Sequence, residues 1–146
     1  MGTVVQLKNR INNSYLELKN SVDDKLILVE EKIKTKLLSK VELVEEMTKY
    51  HLRTGGKRLR ALLTLGSAKI CGYTKGSRDI NLAACVELIH AATLMHDDVI
   101  DKGEIRRGKK TLNYIWGNKS SILVGDYLLS RCFEMMVEDG NNEVLK

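Results

Sequence analysis

The sequence predicts an all-α domain, and three observations carry that expectation. There is no proline among its 146 residues, which removes the residue that most reliably breaks helices. Apolar residues recur at spacings of three and four along most of the chain, the repeat of one helix face. No stretch shows the strict apolar–polar alternation of a half-buried strand, and no internal repeat or low-complexity tract interrupts the pattern.

Residues 4 to 19 read as a first helix, with Val4, Leu7, Ile11, Tyr15 and Leu18 on one face. Ser21 is placed to cap a second helix, with Asp23 and Asp24 in its first turn and Leu26, Val29, Ile33 and Leu37 on its apolar side. Ser39 and Glu42 have the spacing of a capping box for a third helix running to about His51. Gly55-Gly56 breaks that pattern. A fourth helix is predicted from Lys57 to Ile70, followed by Gly72 and a short, turn-rich linker. The segment Asp79 to Lys102 is the longest and most apolar, with Leu82, Ala83, Val86, Ile89, Ala92, Thr93 and Leu94 covering most of its circumference. A helix of that kind must be buried on nearly all sides, so it is the expected centre of a bundle. Residues 103 to 119 read as a loop with an extra helical turn at Leu112 to Trp116, and a sixth helix follows from Ser121 to Glu138.

Composition narrows the function. A hydrophobic fraction of 43% and a charged fraction of 29% are ordinary for a soluble globular chain. The net charge of +5 is dispersed, and one Phe and one Trp offer no aromatic platform between the basic residues, so nucleic-acid binding is not expected. Cys71, Cys85 and Cys132 are odd in number and lie in apolar runs, as buried reduced thiols do, which predicts a cytoplasmic setting without disulfides or a zinc site. The N-terminal ten residues lack the apolar core of a signal peptide, and no apolar run reaches the length of a membrane span.

Two charge clusters stand the wrong way round for their helices. Asp97, Asp98 and Asp101 fall in the last turn of the long helix, where the helix dipole disfavours acids by up to about 1 kcal/mol each. Their spacing lets all three share one face. A compensating cation is expected, and a hard divalent ion such as Mg²⁺, which takes oxygen ligands and binds substrate phosphates, is the simplest. Lys57, Arg58 and Arg60 fall in the first turn of the fourth helix after Gly55-Gly56, where cations are disfavoured but free N–H groups and a glycine loop suit a phosphate or diphosphate. Lys57 and Arg60 are three apart and can reach one ligand. The bland alternatives are a solvated helix end for the acids and a solvated turn for the bases. Arg106-Arg107-Gly108-Lys109 adds a third charged element, and the three together favour a functional site. His90 lies seven residues before Asp97, on the same helix face, and reads either as a phosphate contact or as a satisfied core residue. His96 reads as packing or as a support behind the aspartates, Asp126 as a helix-surface or capping residue, and His51 carries no functional expectation.

These residues, in this order, resemble the trans-isoprenyl diphosphate synthases, the polyprenyl synthetase family. The resemblance rests on Gly55-Gly-Lys-Arg-Leu-Arg60, Glu87-Leu-Ile-His90, the DDxxD form of Asp97-Asp98-Val-Ile-Asp101, Arg106-Arg107-Gly108 and Gly125-Asp126-Tyr127-Leu128. It runs from about residue 50 to the C-terminus. It implies the N-terminal half of an isoprenoid-synthase-type helical bundle. In that frame Lys57, Arg60, His90 and Arg107 are expected to bind isopentenyl diphosphate. Asp97 and Asp101 are the expected Mg²⁺ ligands for an allylic prenyl diphosphate, supported by Asp98, with Arg106 its direct partner. The implied reaction is loss of pyrophosphate to give an allylic cation, attack by the isopentenyl double bond, and loss of a proton. The resemblance also ties product length to the positions just before DDxxD. Small Ala92 and Thr93 there resemble long-chain synthases of the octaprenyl or decaprenyl type, although small residues also permit close helix packing. Ala61 departs from the family pattern, which has proline there.

The family's second aspartate-rich motif is missing from these 146 residues. The expectation is therefore one partial domain, with N-terminal helices over 1–52 and the diphosphate- and metal-binding helices over 53–146. Such a chain is expected to lack prenyl-transfer activity alone and to act as a homodimer or with a C-terminal half. Incubation with Mg²⁺, farnesyl diphosphate and labelled isopentenyl diphosphate checks this. The other readings are a non-catalytic, diphosphate-binding helical partner of a synthase and a generic helical interaction domain.

Overall fold

The computed structural model of the chain describes residues 13–53, 55–140 and 143, so the predicted helix positions Val4, Leu7 and Ile11 lie outside the described residues. Residues 13–20 are helical (α1). They are followed by α2 (Asp23–Lys36), α3 (Glu42–Arg53), α4 (Leu59–Ile70) and α5 (Arg78–Ile100). A two-stranded antiparallel hairpin then pairs β1 (Ile105–Arg106) with β2 (Lys109–Lys110), and α6 (Leu112–Trp116) and α7 (Asn118–Asp139) complete the order.

α5 is the axis of the structure, packed against α2, α4, α6 and α7. Its buried apolar residues include Ala83, Ala84, Cys85, Leu88, Ala92 and Met95, and they meet Val29 and Ile33 of α2, Leu62 and Leu65 of α4, and Val124, Leu128, Cys132 and Met135 of α7. Each large side chain buried in this way contributes about 1.5–3 kcal/mol of transfer free energy. The α5–α7 contact is close because small residues line it. The Cys85 and Cys132 thiols each face the other residue's carbonyl, at 3.8 and 3.6 Å. A Cβ at Gly125 would fall 2.3 Å from His96 Nε2, so glycine lets that ring come this close to α7. The ring approaches Ile122 O at 3.3 Å and Asp126 Oδ1 at 3.4 Å.

Several local expectations are corrected. Ser21 does not cap α2; Val22 stands at that position, and the Ser21 hydroxyl donates to Leu18 O at 2.9 Å. Ser39 forms no capping box, because its oxygen accepts the Val41 N–H at 3.1 Å two residues on and α3 begins only at Glu42. α4 begins at Leu59 rather than Lys57, since Arg58 takes a left-handed conformation with φ of 46°. α5 ends in a Schellman arrangement whose left-handed residue is Lys102, at φ of 52°, with Gly103 N–H donating to Asp98 O at 2.8 Å. Gly103, the next residue, admits the Asp98 side chain, which a Cβ would meet at 3.2 Å. The predicted loop after α5 contains the hairpin, turned by Arg107 and Gly108 at φ of 52° and 75°, the two-residue geometry that matches strand twist. Contrary to the expectation of three buried cysteines, Cys71 is exposed at the end of α4, while Cys85 and Cys132 are buried.

Candidate functional site

A cleft of about 630 Å³ opens between the end of α3, the segment 55–60, α5 and the hairpin. Its walls are brought together by the hairpin. Arg107 Nη1 donates to Gly55 O, Lys109 Nζ to Arg53 O at 3.0 Å, and Tyr50 Oη to Lys110 O at 2.9 Å. Gly56 makes the approach feasible, because a Cβ there would stand 2.9 Å from the Arg107 guanidinium. The Tyr50 ring meets Trp116 edge-on, with centroids 5.3 Å apart, and ties α6 to the same wall.

All five residues expected to bind substrate, Lys57, Arg60, His90, Arg106 and Arg107, line this cleft. Lys57 and Arg60 are exposed, one just before α4 and one in its first turn. Thus only Arg60 of the three cations lies within that turn. His90 projects from the middle of α5. Burial, then the nearby Arg60 guanidinium, hold its ring below the usual histidine range, so at neutral pH it offers a neutral N–H donor.

The three aspartates do not share one environment. Asp97 and Asp101 are exposed, one turn apart. Asp98 is buried on the cleft side and holds Arg106 side-on, with Arg106 Nε 2.9 Å from Oδ1 and 3.1 Å from Oδ2, and Nη2 2.8 Å from Oδ1. That hydrogen-bonded pair raises the Arg106 pKa further. It also supplies part of the compensating positive charge that the acidic helix end demands. Asn113 Nδ2 donates to Asp98 O and Gly103 O, each at 3.1 Å, and so buttresses the same corner. Ala92 is fully buried in the helix packing, whereas Thr93 is exposed one turn before Asp97 and donates to His90 O at 2.9 Å.

His51, which carried no expectation, also lines the cleft. Burial above all, then the charges of Arg58 and Arg107, push its pKa down to about 4. The sequence around it does not signal this, because burial, the main cause, is set by the fold. Among the described residues no three His, Cys, Asp or Glu side chains converge as a ready-made metal site.

Residues 41–146 match the polyprenyl synthetase family. The chain belongs to the polyprenyl synthetase family. It is 44% identical over 108 residues to the all-trans-nonaprenyl-diphosphate synthase (geranyl-diphosphate specific) of Rhodobacter capsulatus, a match covering 74% of this chain and 33% of that protein. It is 43% identical over 110 residues to the octaprenyl diphosphate synthase of Escherichia coli K12, covering 75% and 34%. The fold superposes with a TM-score of 0.86 on a polyprenyl synthase from Caulobacter crescentus solved with calcium and isoprenyl diphosphate; the two are 38% identical, and 90% of this chain and 40% of that one are covered. This polyprenyl synthetase chain thus spans about one third of the length of the curated relatives it matches. No described helix of this family member is long and apolar enough to cross a membrane.

Proposed function

We propose that this chain forms the isopentenyl diphosphate pocket and one metal-binding wall of a long-chain polyprenyl diphosphate synthase. The observation that carries the reading is the convergence of Lys57, Arg60, His90, Arg106 and Arg107 on one cleft from three separate segments. Lys57, Arg60 and Arg107 supply charge-assisted donors to the isopentenyl diphosphate group, and neutral His90 adds a hydrogen bond without competing for protons. Arg106, oriented by Asp98, faces the allylic diphosphate and stabilises the charge that gathers on pyrophosphate as it leaves. Leu94 and Met95, also in the cleft wall, keep water from the cationic carbon.

Asp97 and Asp101 fit a hard divalent ion as an exposed, same-face carboxylate pair. Mg²⁺ is the proposed ion, since it accepts one or two carboxylates and keeps its other positions for water and phosphate oxygens. Bound there, it would neutralise diphosphate charge. Thr93, on the exposed face before Asp97, is the proposed product-length position, and its small size leaves room for a long chain. Ala92 would bear on length only through the helix packing in which it is buried. Three cysteines, odd in number and far apart in the sequence, support a cytoplasmic setting. Exposed Leu123, Phe133 and Val137 on α7 support a homodimer or pairing with a complementary chain.

Calorimetric titration with isopentenyl diphosphate tests the pocket. Binding is expected, and Arg60→Ala should weaken it by about tenfold or more, the loss of one charge-assisted contact. Absence of binding by the unaltered chain, or equal binding by the variant, would overturn the reading.

A further inference from the structure

Lys57, Arg58 and Arg60 stand within four residues, yet the fold uses them differently. Lys57 and Arg60 are exposed at the cleft, whereas Arg58 is only 24% exposed and turns toward the helices. Its Nη1 lies 3.5 Å from Glu87 Oε2 and its Nε 3.7 Å from Glu30 Oε1. Glu87 is 8% exposed, and its second oxygen, Oε1, accepts the Ala61 N–H at 3.1 Å. That amide is among the donors a helix start leaves without an intrahelical partner. The carboxylate also sits at the positive end of α4.

One side chain of α5 therefore holds both the backbone of the first turn of α4 and the residue that precedes it. Arg58 carries φ of 46°, a conformation that a side chain other than glycine keeps only when its surroundings fix it. The bend there sets the directions of Lys57 before it and Arg60 after it. Asp98 lies eleven residues on, three turns along the same face of α5, and holds Arg106 more closely, with Nε 2.9 Å from Oδ1. Each cleft carboxylate thus fixes one arginine in place, while Lys57 and Arg60 stay exposed at the cleft.

We infer that Glu87 is a positioning residue of the pocket: through Arg58 and the Ala61 amide, it holds Lys57 and Arg60 in register with His90 and Arg107. The inference rests on the cleft being a diphosphate site. It makes a prediction opposite in sign to simple electrostatics. A negative charge beside an anion site opposes binding, so Glu87→Gln should tighten binding if charge alone matters. If Glu87 positions the loop, the same change weakens binding.

The test is calorimetric titration of the chain with inorganic pyrophosphate at fixed ionic strength, with helical content followed by circular dichroism. Glu87→Gln and Arg58→Gly are each expected to bind about tenfold more weakly, and the double variant no more weakly than either single one, because both remove one coupled unit. Arg58→Lys should recover part of what Arg58→Gly loses. Binding by Glu87→Gln as tight as or tighter than the unaltered chain, at unchanged helical content, would overturn the inference and leave the diphosphate site standing. Should Glu87→Gln lose helicity, Arg58→Gly decides, since glycine accepts the left-handed backbone; unchanged affinity there overturns the inference. No binding of pyrophosphate by the unaltered chain would overturn the diphosphate reading itself, and this inference with it.

Discussion

Asp97 and Asp98 are separated by one residue's rotation about α5, and that rotation gives them different work. Asp98 meets two donors of Arg106 in a buried corner, while Asp97 stands in solvent. Asp98→Asn is expected to lower stability by about 1.5–3 kcal/mol, the worth of hydrogen bonds to a charged partner. Asp97→Asn should change it by less than about 0.5 kcal/mol, as surface substitutions do. Urea denaturation of the two variants checks this, and equal losses would refute the division. His51 makes a prediction about pH. Its folded pKa of about 4 lies below the ordinary 6.5, so the unfolded chain takes up the proton first. Its contribution is intact above pH 6.5 and is lost progressively as pH falls toward about 4. Thermal melts at pH 7.5 and pH 5 should show a drop, and His51→Gln should make that drop smaller.

At the scale of elements, α5 was legible because its length and nearly unbroken apolar surface leave a helix no place but the centre. The caps were less legible. Ser21 and Ser39 have the right chemistry one or two residues too early, and their hydroxyls bond locally instead. The hairpin escaped because strands of two residues have no periodicity, and Arg107-Gly108 lacks the Asn or Asp that usually marks such a turn. The packing of α5 on α7 yields a test of its own. Gly125→Ala puts a methyl group into the His96 ring and should cost about 1–3 kcal/mol by overpacking. His96→Ala in the same chain should restore part of that loss, as measured by thermal denaturation of the single and double variants.

At the scale of the whole molecule, the charge clusters announced a site but not how the charges are shared. Glu87 and Asp98 reach Arg58 and Arg106 across the fold and fix them, while Lys57 and Arg60 stay exposed. Because the cleft joins α3, the segment 55–60, α5 and the hairpin, a ligand there clamps elements far apart in sequence. Saturation with pyrophosphate should therefore raise the melting temperature, by the equivalent of about 2.7 kcal/mol at a hundred times Kd. Added salt should diminish the rise; a melting temperature indifferent to pyrophosphate would count against the clamp. The three non-glycine residues with positive φ among those described are Arg58, Lys102 and Arg107, all basic and two of them in the cleft wall. Each holds strain of about 1 kcal/mol that glycine would relieve. Directed evolution under heat would let position 102 drift toward glycine or asparagine, whereas Arg58 and Arg107 are held against that drift by the Glu87 carboxylate and the Gly55 carbonyl.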